Sequence, residues 1–312
     1  MKFSIVIPVA PERNAEIVES LKGLDYPKKE FEVIVVRGKN PSENRNKGAK
    51  KAKGKIIAFL DDDAKLDKDY LKKAENFFSE NNVDVVGGPQ LTPKDDKTFA
   101  RISAYSLASI FGGFSIRNRY KKSKINMNAD EKSISSANLL CKKEVTKKIK
   151  FDPSLFPGED PDFINKCKEK GFIIAYSPEI FVYHRRRPTL SGFIRQMFSY
   201  GKTRPKIRTK NMNIFFLVPS FFLIYLFLWV ILSSFIIQSS ITGFAVDTAS
   251  EPGVLLFVGL PLLLYIVLNF LFSIAITMRE KDLLALLILP FIFLVLHISY
   301  GAGIITGLVK RK

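Results

Sequence analysis

Apolar and polar residues alternate along the first 90 positions in blocks that switch period. Residues 3–9, 31–36, 56–60 and 83–87 are short runs of β-branched and aromatic residues, the pattern of buried strands. Between them, 14–24 sets Ile17, Val18, Leu21 and Leu24 at helical spacing, 42–53 is a basic stretch with Ser42 as a candidate N-cap, and 66–80 is amphipathic. This alternation predicts an α/β fold, a mostly parallel sheet with helices on both faces and right-handed crossovers. Residues 92–132 have no regular period and are very basic. After them come a candidate strand at 134–140, a proline-bearing loop at 151–158, a helix at 160–170 and short strands at 172–176 and 180–183.

The pattern changes beyond residue 189. Leu190, Phe193, Ile194, Met197 and Phe198 share one helical face, with Arg195, Lys202 and Arg204 beside them. That fits an amphipathic helix lying in a membrane interface, and equally a helix packed on the soluble core. Residues 214–237, 254–277 and 283–309 are apolar throughout, each long enough to cross about 30 Å of hydrocarbon. No polar face remains for water, which disfavours a soluble bundle. Gly301 and Gly303 are candidate breaks in the third stretch, and Pro290 a candidate kink. The expected organisation is an α/β domain over 1–188, an amphipathic segment over 189–212 and an all-α transmembrane region over 213–312.

Charge changes this picture in one respect. The 312 residues carry 48 bases and 30 acids, a net of +18. Five of those bases and four of the acids lie beyond residue 212, leaving 43 and 26 before it. The bias toward positive loops inside puts the first domain and the 278–282 loop, with Arg279 and Lys281, in the cytoplasm. It puts the 241–252 loop, with Asp247 and Glu251, outside. Met1 leads straight into a strand, with no signal-peptide pattern. Three spans would leave Lys310-Arg311-Lys312 outside, against the same rule; a re-entrant or interfacial end would remove the conflict. No nucleic-acid module accompanies the basic residues, so the excess reads as attraction to anionic headgroups and not to nucleic acid. Cys141 and Cys167 are too few and too far apart to suggest a disulfide or a metal site.

The candidate chemistry starts at Asp61-Asp62-Asp63, which end the 56–60 strand. Open α/β sheets bind ligands at the carboxyl ends of their strands. Three adjacent acids repel one another unless a cation lies beside them. A hard divalent ion holding a nucleotide diphosphate fits, because Mg²⁺ takes one or two carboxylates plus phosphate oxygens. The competing reading makes Asp62 or Asp63 the N-cap of the 66–80 helix.

Several segments, in order, resemble one family. Ile5-Val6-Ile7-Pro8, Asn44 to Ala49 with Ala52-Lys53-Gly54, and Phe59 to Asp63 resemble the donor half of inverting family-two glycosyltransferases. Ser136-Ala137-Asn138 with Lys142 to Val145, then Phe151-Asp152 and Phe156 to Asp160, resemble its acceptor half. His184 to Pro188 and Arg195 to Gly201 resemble the edge of its membrane-anchored members, those that build surface polysaccharides and glycolipids. The resemblance covers about residues 1–212.

It implies a GT-A fold, a UDP- or GDP-sugar donor, a lipid-linked acceptor of polyprenyl or dolichyl type, and Mg²⁺ or Mn²⁺. Asp61, Asp63 and His184 would hold the metal. Asp160 would be the general base, with Glu159 and Asn138 on the acceptor side. Pro8, Glu12, Arg37, Arg45, Asp61, Asp62, Arg195 and Gln196 would line the donor. The bland alternatives are an N-cap ahead of Pro161 for Asp160, a structural histidine for His184 and a headgroup-facing arginine for Arg195. Two departures matter. Arg37-Gly38 stands where relatives carry an acid that contacts the nucleobase, and Val9 to Glu12 replaces an aromatic-Asn-Glu run. These departures also admit a non-catalytic sugar-nucleotide or lipid-binding protein of the same fold. A nucleotidyltransferase would show a glycine-rich loop after the first strand, and 9–14 has no glycine.

The orientation is testable by single cysteines at Ser250 and Lys281, in a background lacking Cys141 and Cys167. In intact cells an impermeant thiol reagent should label position 250 and spare 281. The opposite pattern would invert the topology.

Overall fold

Strand β1 (Phe3–Val9), apolar but for Ser4, is buried along its whole length, which only an interior strand covered on both faces can be. It pairs in parallel with β2 (Phe31–Arg37) on one side and β3 (Ile56–Leu60) on the other. The computed structural model describes residues 1–207, 214–242 and 252–310. Positions 243–251 of the expected outside loop, with Arg311 and Lys312, lie outside the described residues. Two units are described. One comprises Met1–Thr189 with Lys206–Lys210, the other Leu190–Pro205 with Asn211–Lys312.

In the first unit the remaining elements are α1 (Ile17–Lys22), α2 (Pro41–Lys51), β4 (Ala64–Lys65), α3 (Tyr70–Glu80), β5 (Val85–Gly87), β6 (Gln90–Leu91), α4 (Thr98–Leu107), β7 (Asn138–Lys142), α5 (Lys143–Lys148), α6 (Glu159–Glu169), β8 (Ile174–Tyr176) and β9 (Val182–His184). Six strands form one sheet in the order β2-β1-β3-β7-β5-β8. All its pairs are parallel except those of β7, which is antiparallel to both β3 and β5. The sheet is therefore mostly parallel, as the alternation predicts, with one reversed strand inserted after the irregular basic stretch. The ends of β1, β2 and β3 reach the same edge, and β7 begins there, with Asn138 opposite Leu60.

Period-two alternation splits the core in two. Phe3, Ile5, Ile7 and Val9 of β1 join Ile56, Ala58 and Leu60 of β3 on one face. Val6, Ile57 and Phe59 join Phe151 and Phe163 on the other. On that second face the Phe151 and Phe163 rings stack at 4.3 Å, with Phe59 edge-on to Phe151 at 5.0 Å.

Several boundaries differ from expectation, among them that of β7, which starts at Asn138 and not at 134. The helix predicted at 66–80 begins only at Tyr70, because Ala64 and Lys65 are drawn into a small second sheet, β4-β9-β6. Asp62 and Asp63 are thus too far upstream to cap α3, which removes the capping reading. Helix α2 is capped by Asn40, not Ser42: Asn40 Oδ1 accepts from the Ser42 and Glu43 amides at 3.0 and 3.3 Å, and Pro41 takes the first helical turn. The predicted 92–132 irregular region contains α4.

The second unit holds α7 (Leu190–Thr203), α8 (Val218–Thr242), α9 (Pro252–Glu280) and α10 (Leu283–Val309). Ile214–Phe235, Val258–Glu280 and Leu283–Val309 are long and apolar enough to cross a membrane. Many of their large side chains, such as Phe227, Leu263 and Leu287, are exposed in the protein alone, as lipid-facing residues are. Helix α10 runs unbroken past Gly301 and Gly303. These glycines are used for close packing. A Cβ on Gly303 would overlap the Phe198 carbonyl of α7, and one on Gly201 would overlap the Tyr300 carbonyl of α10. Helix α7 is thus seated backbone to backbone on α10, the small-residue packing familiar between membrane helices.

Truncating Phe163 to alanine should cost about 3–5 kcal/mol, roughly 6–20 °C in apparent Tm for a unit of this size. Cys141 and Cys167 are both free and buried, so a thiol-reactive fluorophore reads the unfolding directly. An unchanged melting curve would remove the aromatic stack from the core's supports.

Candidate active site

The acids that follow β3 are gathered by a two-residue strand pair. Ala64, next to Asp63, pairs with His184 at the end of β9, and Lys65 pairs with Tyr183. This brings His184 Nε2 to 3.1 Å from Asp63 Oδ1 and 3.5 Å from Asp61 Oδ2. Asp61, Asp63 and His184 offer one ligand atom each, all within 4.8 Å of one another. His184 Nδ1 lies 2.9 Å from its neighbour's carbonyl, that of Arg185. A proton on Nδ1 is donated there, which leaves Nε2 aimed at the acids.

The charges are mutually supporting. Burial opposes charge on His184, but the Asp61 and Asp63 carboxylates outweigh it and hold the imidazole up at about 9. Burial would raise both carboxyls; His184 outweighs it, helped by Arg45 at Asp61 and by Arg13 at Asp63, and each sits below the usual carboxylate range. Asp62 is different. Burial pushes it up to about 6, Arg13 opposes, and the neighbouring acids add to the rise. Arg13 grips two of the acids, with Nη1 at 3.2 Å from Asp62 and Nη2 at 2.9 Å from Asp63.

Arg45 ties this cluster to a second one. It projects from α2 and is only 3% exposed. Its Nη2 meets Asp61 at 2.9 Å and its Nη1 meets Glu159 at 2.8 Å, and its guanidinium lies over the Phe151 ring. Glu159 opens α6, and its other oxygen accepts from the Gly158 amide at 3.0 Å. Burial raises the Glu159 carboxyl, Arg45 opposes the rise and Asp160 adds to it. Gly158 takes φ +130°, a conformation that strains residues with a Cβ, and is itself the N-cap. Asp160 therefore lies inside the first helical turn and does not cap it. Its Oδ2 is 3.3 Å from Arg119 Nη1.

The structure brings Asp61, Asp62, Asp63, His184, Arg45, Glu159 and Asp160 into one connected group. Pro8 is buried in β1 opposite Val36. Glu12 is exposed in the loop after β1. Arg37 ends β2 and donates to the Arg13 carbonyl at 2.7 Å. Arg45, which the resemblance places along the donor, is a bridge between acids through its buried double ion pair. Asn138 was expected on the acceptor side, but it is fully buried. Its amide donates to the Ile180 carbonyl and its oxygen accepts from Tyr70, both at 2.7 Å. Arg195 and Gln196 lie on α7, in the second unit, bonded to Ser191 and Tyr200 of their own helix. Arg13 and Arg119 were not singled out from the sequence. Arg13 had a signal, as the only base in the loop after β1. Arg119 had none, lying among many bases in an aperiodic stretch.

Comparison with known proteins agrees with this geometry. A domain model described as glycosyl transferase family group 2 matches residues 56–306. The poly(ribitol-phosphate) β-N-acetylglucosaminyltransferase TarS of Staphylococcus aureus is 31% identical over 28% of this chain, and the chain spans only 20% of that relative. The dolichyl N-acetyl-α-D-glucosaminyl phosphate 3-β-D-2,3-diacetamido-2,3-dideoxy-β-D-glucuronosyltransferase of Methanococcus voltae is 24% identical over 85% of this chain and 92% of its own. Among solved structures, the mannosyltransferase PcManGT of Pyrobaculum calidifontis, in complex with GDP-Man and Mn²⁺, superposes with a TM-score of 0.56 at 16% identity, covering 100% of this chain and 88% of its own. That likeness shows the GT-A arrangement of a mostly parallel sheet followed by apolar helices. With the family model covering most of its length and the sheet edge carrying the acids that its motifs imply, this chain belongs to glycosyl transferase family group 2.

Proposed function

We propose that this protein is a membrane-anchored, metal-dependent inverting glycosyltransferase. It moves a sugar from a UDP- or GDP-sugar to a lipid-linked acceptor at the cytoplasmic membrane face. One observation carries the reading: a three-ligand cluster at the strand edge is joined, through buried Arg45, to the turn that presents Asp160. The lipid-linked acceptor extends to this chain what the name of the Methanococcus voltae relative says of that protein. The three apolar helices support the membrane anchor, and the basic first domain supports the cytoplasmic face.

The donor set fits a divalent ion. Two carboxylates suit Mg²⁺ or Mn²⁺, and an imidazole beside them favours Mn²⁺. Asp61, Asp63 and His184 would hold it, and a bound ion would neutralise the departing diphosphate. The chain's own residues do the rest. Asp160 takes the proton of the acceptor hydroxyl. The acceptor oxygen bonds to the anomeric carbon from the face opposite the leaving group. The carbon–oxygen bond to the diphosphate breaks, and its electron pair leaves with the nucleoside diphosphate. One displacement inverts the anomeric configuration. Arg13 and Arg45 balance the acids, so that the site is not a bare cluster of negative charge facing an anionic donor.

Metal binding should be coupled to His184. An imidazole held up at about 9 is protonated at pH 7, whereas a metal ligand must be neutral. Binding should therefore release about one proton at pH 7, and apparent affinity should rise with pH until about 9. Calorimetry with Mn²⁺ in two buffers of different ionisation enthalpy measures the release. His184→Asn should bind more weakly and release none. Equal release by both proteins would take His184 off the ion, and undiminished turnover in excess EDTA would remove the metal altogether.

Asp160→Asn should keep donor binding and lose transfer by roughly 10²–10⁴-fold, the contribution of a general base. No cap is lost with this change, and donor binding measured by calorimetry separates loss of the base from misfolding. Near-wild-type transfer of radiolabelled sugar would overturn the base assignment.

A further inference from the structure

We propose that Arg119 is a positioning residue for the base: it pins one carboxylate oxygen of Asp160 so that the other is presented to the acceptor hydroxyl. The inference rests on the assignment of Asp160 as base and adds a device to it. Arg119 closes the 3₁₀ turn Phe114–Arg119. Its Nη1 meets Asp160 Oδ2 at 3.3 Å, and its Nη2 donates to the Glu131 carbonyl. Both side chains are largely enclosed, at 13% and 16% exposure. A single guanidinium thus joins the 119–131 loop to the first turn of α6.

Among the described residues, the charged groups that face Asp160 include Arg119, Arg45 and Glu159. Arg45 is already committed to Asp61 and Glu159, which leaves Arg119 as the cation that grips Asp160. The terminal torsion of an aspartate is broad and roughly two-fold, so an unpinned carboxylate does not present one oxygen in one direction. Oδ2 is taken by Arg119, and Oδ1 has no hydrogen-bond partner among the described residues. That is the oxygen left for a substrate proton. The planar fork of arginine suits the role, because it reaches the carboxylate and a carbonyl at once. A lysine would supply the charge as a single point.

The test uses the full-length protein in lipid nanodiscs. Arg119→Gln should lower kcat about 10²-fold, the loss expected of a group misplaced by about 1 Å, with donor KM unchanged. Arg119→Lys should recover part of the loss, and added methylguanidinium should recover part of it in Arg119→Ala. Arg117→Gln, which removes a neighbouring half-buried arginine bonded to the Phe114 carbonyl of its own turn, should keep full activity. The inference is overturned if Lys is no better than Gln and methylguanidinium has no effect, or if the loss falls on donor KM. It fails separately from the base assignment. Loss of transfer in Asp160→Asn with full activity in Arg119→Gln removes only Arg119, whereas an active Asp160→Asn removes the base itself.

Discussion

The site depends on a buried arginine that is shared by two acids far apart in sequence. Arg45 cannot lose either partner cheaply. Breaking a buried pair by deleting one side is destabilising by about 3–5 kcal/mol, because it strands the other charge away from water. Arg45 therefore ties the position of Asp61, at the end of β3, to that of Glu159, at the start of α6. The Phe151 ring beneath it belongs to the aromatic stack of the core. The geometry of the acids is thus set by packing as well as by charge. Helix α2, which carries Arg45, owes its own start to the Asn40 cap and Pro41, so a local turn signal fixes the origin of the bridge.

The charges around the strand edge are nearly balanced without any ion. Asp61, Asp62, Asp63 and Glu159 face Arg13, Arg45 and an imidazole held in its charged form. The raised Asp62 and Glu159 show where negative charge is least welcome. Stability follows with a definite sign. The histidine's contribution is complete below its ordinary value near 6.5 and is lost as pH rises through about 9. An incoming divalent ion would take over the role of the imidazole proton beside Asp61 and Asp63.

Much of the fold was legible because its signals are strong and local. The bounds of β1 and β3 agree with the sequence reading, since an apolar run that stops at a polar, proline-bearing loop or at three acids has little freedom in its ends. The acids of β3, His184 and the Glu159-Asp160 pair were read from family motifs, and the structure draws them together. What the sequence could not show was long-range. β4 and β9 are two and three residues long, too short for any period, yet they place His184. Nothing local announces that β7 runs antiparallel between β3 and β5. Arg45 sits on a basic helix in the sequence, and only the tertiary fold reveals that it is buried. Nor does the sequence show that Asn138 is buried, with its side chain bonded to Tyr70 and the Ile180 carbonyl.

The seam between α7 and α10 sets a ruler. Where two helices touch through glycines, neither can slide without driving side chains into backbone, so their register is fixed to within a fraction of a turn. Arg195 and Gln196 ride on α7, whose seat is on a helix long enough to cross a bilayer. Their depth below or above the headgroups is then dictated by where α10 sits in the membrane, and not by the amphipathic face of α7 itself. A slip of one helical turn would move them by about 5.4 Å, which is a large part of the thickness of a headgroup layer. In this protein the anchoring helix is also the depth gauge of the segment that precedes it.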